Sequence, residues 1–231
     1  MNISISSLLY QTSAVVAGVL GRKRKFMNLG FEGSQYAIKP EDKADGHHIA
    51  LYIELLKMAE GIDEKGKTWS ALEIGCGRGG GCYVMKNYFG ITDITGMDLS
   101  AGNIKLAKKF VPKGKFLVAD ASDFKTDSIY DLILNRESSH AYPSRAAFFK
   151  NVAGIINANS FFVFGDLIKS SKLHTVEDMI TKSGLKIVAS KTINQNVLAS
   201  LEKHSGKHYP LPTRFPFLFP RQLHNFFVTK H

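Results

Sequence analysis

Cysteine is scarce in this chain: there are two in 231 residues, with a single tryptophan and seven prolines. Cys76 lies inside a glycine run and Cys82 just beyond it, so a bridge between them would fight the local geometry, and no disulfide framework is available. Reduced thiols in a cytoplasmic setting are the expectation. The chain also lacks an unbroken apolar stretch of the roughly 20 residues a membrane span needs. Ile3 to Leu20 comes nearest, but Ser4, Ser6, Ser7, Gln11, Thr12 and Ser13 interrupt it. Its positive charges, Arg22 to Lys25, follow the apolar part, the reverse of a secretory signal. The expectation is an amphipathic helix that packs on the domain or covers the active site, with the basic run as a peripheral contact for anionic lipid. Metal ligands are sparse too. His47 and His48 are adjacent and cannot both face one ion from a helix, and His204 and His208 have no third ligand nearby, so no metal site is expected. Acidic residues are in deficit, 20 against 30 basic, giving a net charge of +10. Apart from Arg22 to Lys25 the basic residues are dispersed, without the aromatic interleaving that stacks bases, which argues against a nucleic-acid partner.

What is present is glycine, concentrated in Ala71-Leu-Glu-Ile-Gly-Cys-Gly-Arg-Gly-Gly-Gly81. An apolar strand runs into a turn that only glycine can make so tightly, and a helix opens near Gly80 with its free N–H groups facing the turn. Gly75, Gly77 and Gly80 satisfy the dinucleotide pattern G-x-G-x-x-G. Glu73, Gly75, Gly77 and Gly79 satisfy E-x-G-x-G-x-G, as in S-adenosylmethionine (SAM) methyltransferases. A carboxylate beside the loop repels a pyrophosphate and suits a ligand carrying a sulfonium and an ammonium, so Glu73 favours SAM. Ile94 to Ser100 reads as a second strand ending in Asp98, placed to accept the ribose hydroxyls. Lys115 to Ala119 reads as a third, ending in Asp120-Ala121, and this acid suits the adenine edge.

Leu72 to Gly81, Gly96 to Ser100 and Val118 to Ala121 resemble the SAM-binding motifs of class I methyltransferases. Asn135-Arg-Glu-Ser-Ser-His-Ala-Tyr-Pro143 is similar to the loop after the fourth strand of small-molecule O-methyltransferases, which act on polyketide-like lipids, glycosylated natural products and phenols. Phe26-Met-Asn-Leu-Gly-Phe31 is similar to their N-terminal, substrate-side segment. The resemblance implies a doubly wound, mostly parallel α/β sheet of the seven-stranded, Rossmann-like type with a helical N-terminal cap. It implies cofactor contacts from Glu73, Gly75, Cys76, Gly77, Gly79, Asp98, Leu99, Ser100, Asn103, Asp120, Ala121 and Asn135. Phe31, Tyr36 and Tyr142 are the expected substrate walls.

Strand and helix alternate along the chain, which by itself predicts a parallel sheet with helices on both faces. A helix is expected over Asp45 to Glu60, with Ile49, Ile53, Leu55 and Leu56 on one side. Pro143 should sit in the first turn of a helix running to about Ile156, with Asn157 and Asn159 as its stop, before a short strand, Phe161 to Asp166. Three parts of one structural domain are expected: a cap over 1–45, a SAM-binding core over 46–192, and a variable lid with a last strand over 193–231. In the last part Phe215 to Phe219, with Pro216 inside it, reads as a loop or lid. Asn225 to Thr229 reads as an antiparallel final strand. The oligomeric state, monomer or homodimer, is left open.

Strands four and five should be neighbours, bringing His140 after the former close to Asp166 at the end of the latter. A hydroxyl acceptor needs a base, and histidine oriented by a carboxylate supplies one near neutral pH. The matching positions in similar natural-product enzymes act as such a dyad. The expected activity is methyl transfer from SAM to the hydroxyl of a hydrophobic small molecule or lipid. A SAM-binding scaffold without catalysis, or an enzyme acting on nucleic acid or protein, is the alternative.

Overall fold

The computed structural model describes residues 24–33, 35–204 and 222–230. The expected N-terminal helix and the Phe215 to Phe219 lid lie outside these. One seven-stranded sheet carries the chain: β1 (Ser70–Ile74), β2 (Asp93–Asp98), β3 (Lys115–Val118), β4 (Tyr130–Arg136), β5 (Ile156–Lys169), β6 (Lys186–Thr192) and β7 (Gln222–Lys230), in the spatial order β3-β2-β1-β4-β5-β7-β6. β1 pairs parallel with both β2 and β4, so strand order reverses at β1, and the crevice beyond its C-terminal end is where an open parallel sheet holds its ligand. β7 runs antiparallel to both β5 and β6.

The central strands are apolar on both faces because both are covered. Leu132 and Leu134 of β4 point into one core with Ile49, Leu55, Val84 and Ile104, while Ile133 between them points into the other with Phe148, Phe149 and Phe162. The first core lies under α1 (Gly46–Leu56), α2 (Gly80–Phe89) and α3 (Ala101–Phe110); the second lies under α4 (Arg145–Ala153) and α5 (Leu173–Lys182). A last helix, α6 (Asn194–His204), precedes β7.

Several elements depart from expectation. α1 ends at Leu56, and every residue from His47 to Leu56 is buried, so the anticipated apolar stripe is a helix packed on all sides. Pro143 does not enter α4; it precedes Ser144, the N-cap, whose hydroxyl accepts the Ala147 N–H. α4 stops at Ala153 with Gly154 in the right-handed region, and Asn157 and Asn159 fall inside β5. β5 spans 14 residues because β7 pairs with its second half from Phe162 to Lys169, extending it past the apolar run.

Candidate functional site

The three loop glycines solve three different packing problems. A Cβ on Gly75 would stand 2.5 Å from Ser138 Oγ and 2.7 Å from Tyr142 Oη, so the post-β4 loop can close over this turn only if the position is bare. At Gly77 the nearest atom is Met27 Sδ at 3.1 Å, and this residue faces the cavity. At Gly79 a side chain would face α3: its Cβ would meet Ala107 Cβ at 3.1 Å, and its φ of 82° starts α2. All three have positive φ, which a side chain disfavours.

Glu73 is likewise turned from the ligand side. Its Oε2 accepts the Cys82 N–H at 2.7 Å, and Tyr52 Oη donates to Oε1 at 3.4 Å. It caps the first turn of α2 from below, where a carboxylate is favoured by the helix dipole, and burial pushes its pKa up to about 7. Cys76 is buried in the loop. Its thiol is pushed well above the usual range by burial and by Glu73 and Asp98, which removes it as a nucleophile.

Asp98 ends β2 with both oxygens engaged: Oδ2 accepts Gly77 N–H at 2.9 Å, while Oδ1 accepts Ser100 N–H at 2.9 Å and Asn103 Nδ2 at 3.3 Å. A carboxylate has about four acceptor positions, so Oδ2 keeps one for a vicinal hydroxyl. Ser100 caps α3 by accepting the Asn103 N–H, and Asn103 itself is buried. Leu99 beside them is half exposed, an apolar surface suited to a base. Asp120 is exposed, its Oδ1 accepting Ser122 N–H at 2.7 Å, next to buried Ala121. Asn135 is buried with Nδ2 within 2.9 Å of Ile74 O and Tyr142 Oη and 2.8 Å of Ser138 Oγ. It ties β4 to the end of β1, leaving its Oδ1 without a partner.

The sequence-named substrate walls fare differently. Phe31 is buried in the α1-side core, its backbone N–H donating to His47 O at 2.9 Å, so it is a packing residue. Tyr36 donates to Glu54, which Lys191 also binds. Tyr142 stacks edge-on against Phe148, with its hydroxyl on Asn135 and Ser138 over Gly75, the cofactor side.

The cavity at the glycine turn holds about 360 Å³ of empty space, part of it open to solvent, and Met27, Tyr52, Gly77, Arg136 and Glu137 are among its lining residues. Arg136 and Met27 fall inside the motif blocks but carry no role in the sequence reading, and Tyr52 is not singled out there at all. The signal for the first was an arginine closing an otherwise apolar strand. Segment 24–27 is strapped over the turn because buried Asp42 accepts from Lys25 Nζ at 3.3 Å, Tyr83 Oη at 2.9 Å and Tyr88 Oη at 2.8 Å.

His140 Nδ1 lies 2.7 Å from Asp166 Oδ1, and the His140 N–H donates to Asp166 Oδ2 at 2.9 Å. Asp166 is fully buried and also accepts from Ser139 Oγ, from Leu167 N–H at 2.8 Å and from Arg145 Nη2 at 3.4 Å. Burial pushes its pKa up, but the hydrogen bond and charge of His140, with Ser139 and Arg145, outweigh this and hold it below the ordinary value. Ionised Asp166 has no proton to offer, so Nδ1 carries the hydrogen and Nε2 is the basic nitrogen. The hydrogen bond to Asp166 raises the His140 pKa against the opposing effect of burial. Ser139 and Arg145, which complete the aspartate's shell, were not singled out from the sequence. No cluster of metal-ligating side chains occurs among the described residues.

Residues 72–164 match the family model described as a methyltransferase domain. Fold, glycine turn and this match are similar to those of class I SAM-dependent methyltransferases, and the bare face of Gly77, the free acceptor on Asp98 and apolar Leu99 fit SAM as the cofactor. More particularly, the chain is similar to lipid methyltransferases of mycobacteria. It is 28% identical over 188 residues to a probable phthiotriol/phenolphthiotriol dimycocerosates methyltransferase 2 of Mycobacterium ulcerans, covering 79% of this chain and 71% of that one. A fatty-acid O-methyltransferase of Mycolicibacterium smegmatis is 28% identical over 185 residues, 78% of this chain and 66% of the relative. In fold it is similar to the geranyl diphosphate C-methyltransferase of Streptomyces coelicolor, with a TM-score of 0.69 at 14% identity over 87% of this chain and 89% of that one. No helix among the described residues is long and apolar enough to cross a membrane.

Proposed function

We propose that this enzyme methylates a hydroxyl of a hydrophobic small molecule or lipid, with His140 as general base and Asp166 as the group that orients it. The observation that carries this reading is the pairing of a half-exposed imidazole with a fully buried, multiply hydrogen-bonded carboxylate at 2.7 Å. The names of the relatives support a lipid-type acceptor. SAM supplies an electrophilic methyl group on its sulfonium. The protein's part is to hold the acceptor in line and to take its proton, and Nε2 of His140 is the atom available for that. Asp166 fixes the tautomer and stabilises the imidazolium that results. Asp98, Leu99, Asp120 and Ala121 hold the nucleoside end of the donor, with Ser100, Asn103 and Asn135 supporting the loops around it.

The test is a methyl-transfer screen over long-chain hydroxylated lipids, polyketides, phenols and fatty acids, comparing the wild type with His140→Ala. Loss of a positioned general base costs about 10²–10⁴-fold in rate. Less than a threefold loss on every accepted substrate, with donor affinity intact, rejects the assignment.

A further inference from the structure

The glycine-turn cavity contains a buried charge pair that the base chemistry does not use. Arg136 closes β4, and its side chain follows Leu132 and Leu134 onto the α1 face, where the guanidinium carbon lies 4.7 Å from the centre of the Tyr52 ring. Nη1 is 2.8 Å from Glu137 Oε2, and both side chains are at least nine-tenths buried. The Nε of Arg136 is buried without a hydrogen-bond acceptor. Glu137 is the one residue other than glycine with a positive φ, 45°, among those described, and its N–H is anchored to Gly165 O at 2.7 Å. A strained backbone held in place beside a ligand cavity is a feature of sites built for recognition.

A buried guanidinium is costly unless its donors are met by an anion, and its planar fork matches a carboxylate. The donor brings one carboxylate, on its amino-acid half, next to an ammonium. Arg136 and Glu137 present the opposite charges side by side, against Gly75, Gly77 and Met27. We infer that Arg136 is the receptor for the α-carboxylate of the methyl donor, held flat by the Tyr52 ring and oriented by Glu137. This inference rests on the donor assignment and assigns its amino-acid end to residues at the end of β4, away from the nucleoside contacts at β2 and β3.

Three ligands separate the possibilities by calorimetry: S-adenosylhomocysteine, decarboxylated SAM, and 5′-methylthioadenosine, which lacks the amino-acid half. Arg136→Met should weaken S-adenosylhomocysteine roughly 10–100-fold, the range for a charge-assisted hydrogen bond lost in a buried site. It should leave the other two within about threefold, a tolerance of under 1 kcal/mol. Because Glu137 then loses its ion pair with Arg136, the double variant Arg136→Met/Glu137→Gln provides a fold-safe control and should show the same carboxylate-dependent loss. Equal weakening of all three ligands would make Arg136 structural and overturn the inference, as would unchanged S-adenosylhomocysteine affinity. Failure of the wild type to bind any of the three would sink the donor assignment itself, a result distinguishable from the other two.

Discussion

His140 and Asp166 lie 26 positions apart in sequence, yet their side chains meet at 2.7 Å because β4 and β5 are hydrogen-bonded neighbours, with Arg136 at the end of β4 paired to Gly165. Asp166 raises the affinity of His140 for its proton, and a base must be neutral to work. Methyl transfer should therefore rise with pH through an apparent pKa above the ordinary histidine value of about 6.5. Asp166→Asn removes the charge that favours the imidazolium, so the ascending limb should move to lower pH while the plateau rate falls. A pH–rate profile of kcat/KM for the two proteins checks both. An unmoved limb in the variant would mean that another group is titrating.

The glycine turn predicts unequal costs for equal substitutions. Gly75→Ala drives a methyl into Ser138 and Tyr142, and Gly79→Ala drives one against Ala107; both positions have positive φ. Gly77 has positive φ as well, so backbone strain of about 1–3 kcal/mol falls on all three positions, and the clashes at Gly75 and Gly79 add to it, so these two variants should melt earliest. Gly77→Ala meets only the mobile end of Met27. Gly79→Ala should lose stability mainly, whereas Gly77→Ala should lose donor affinity with a smaller change in melting temperature. Thermal melts and donor titrations side by side distinguish them.

Asp42 ties the strap over the turn to α2 through Lys25, Tyr83 and Tyr88. Asp42→Ala leaves two half-buried tyrosine hydroxyls and one ammonium without their shared acceptor, at about 1–3 kcal/mol for such a loss. Donor affinity should weaken along with stability, because Met27 rides on the strap above Gly77. Faster backbone hydrogen exchange confined to residues 24–45 would locate the effect there; uniform exchange across the sheet would not fit it.

The sheet was legible because strand–helix alternation and continuous apolar runs follow directly from burial on both faces, and β1, β2 and β3 begin and end close to where the pattern put them. Proximity of His140 and Asp166 was legible for the same reason. The roles of single side chains were less so, since a motif names positions without saying which way each faces. Gly79 faces α3, Glu73 faces α2 and Phe31 faces the core, directions set by helix packing that no spacing encodes. Asn157 and Asn159 have the composition of a helix stop, yet they fall in the first part of β5, whose start is set by Ile156 pairing with Tyr130 of β4. Arg136 and Tyr52 are brought together by α1 crossing the sheet, a contact between residues with no local signature.

Glu73 offers a stability test independent of catalysis. Its carboxyl is buried between Tyr52 and the first turn of α2, and burial raises its pKa to about 7, with the Cys82 N–H, Arg136 and Tyr52 opposing the rise. In the unfolded chain the group titrates at about 4.3, so between these two values the folded state holds a proton that the unfolded state has released. Its stabilising contribution is complete below the unfolded value and is lost as pH rises through about 7. Glu73→Gln keeps an acceptor for the Cys82 N–H and carries no ionisable group. Its stability should therefore be flatter than the wild type's between pH 5 and pH 8, with the gap between them shifting in the variant's favour toward the alkaline end. Urea melts at intervals across that range measure the gap directly. A gap that stays constant with pH would show that Glu73 titrates alike in both states and that its burial is relieved on ionisation.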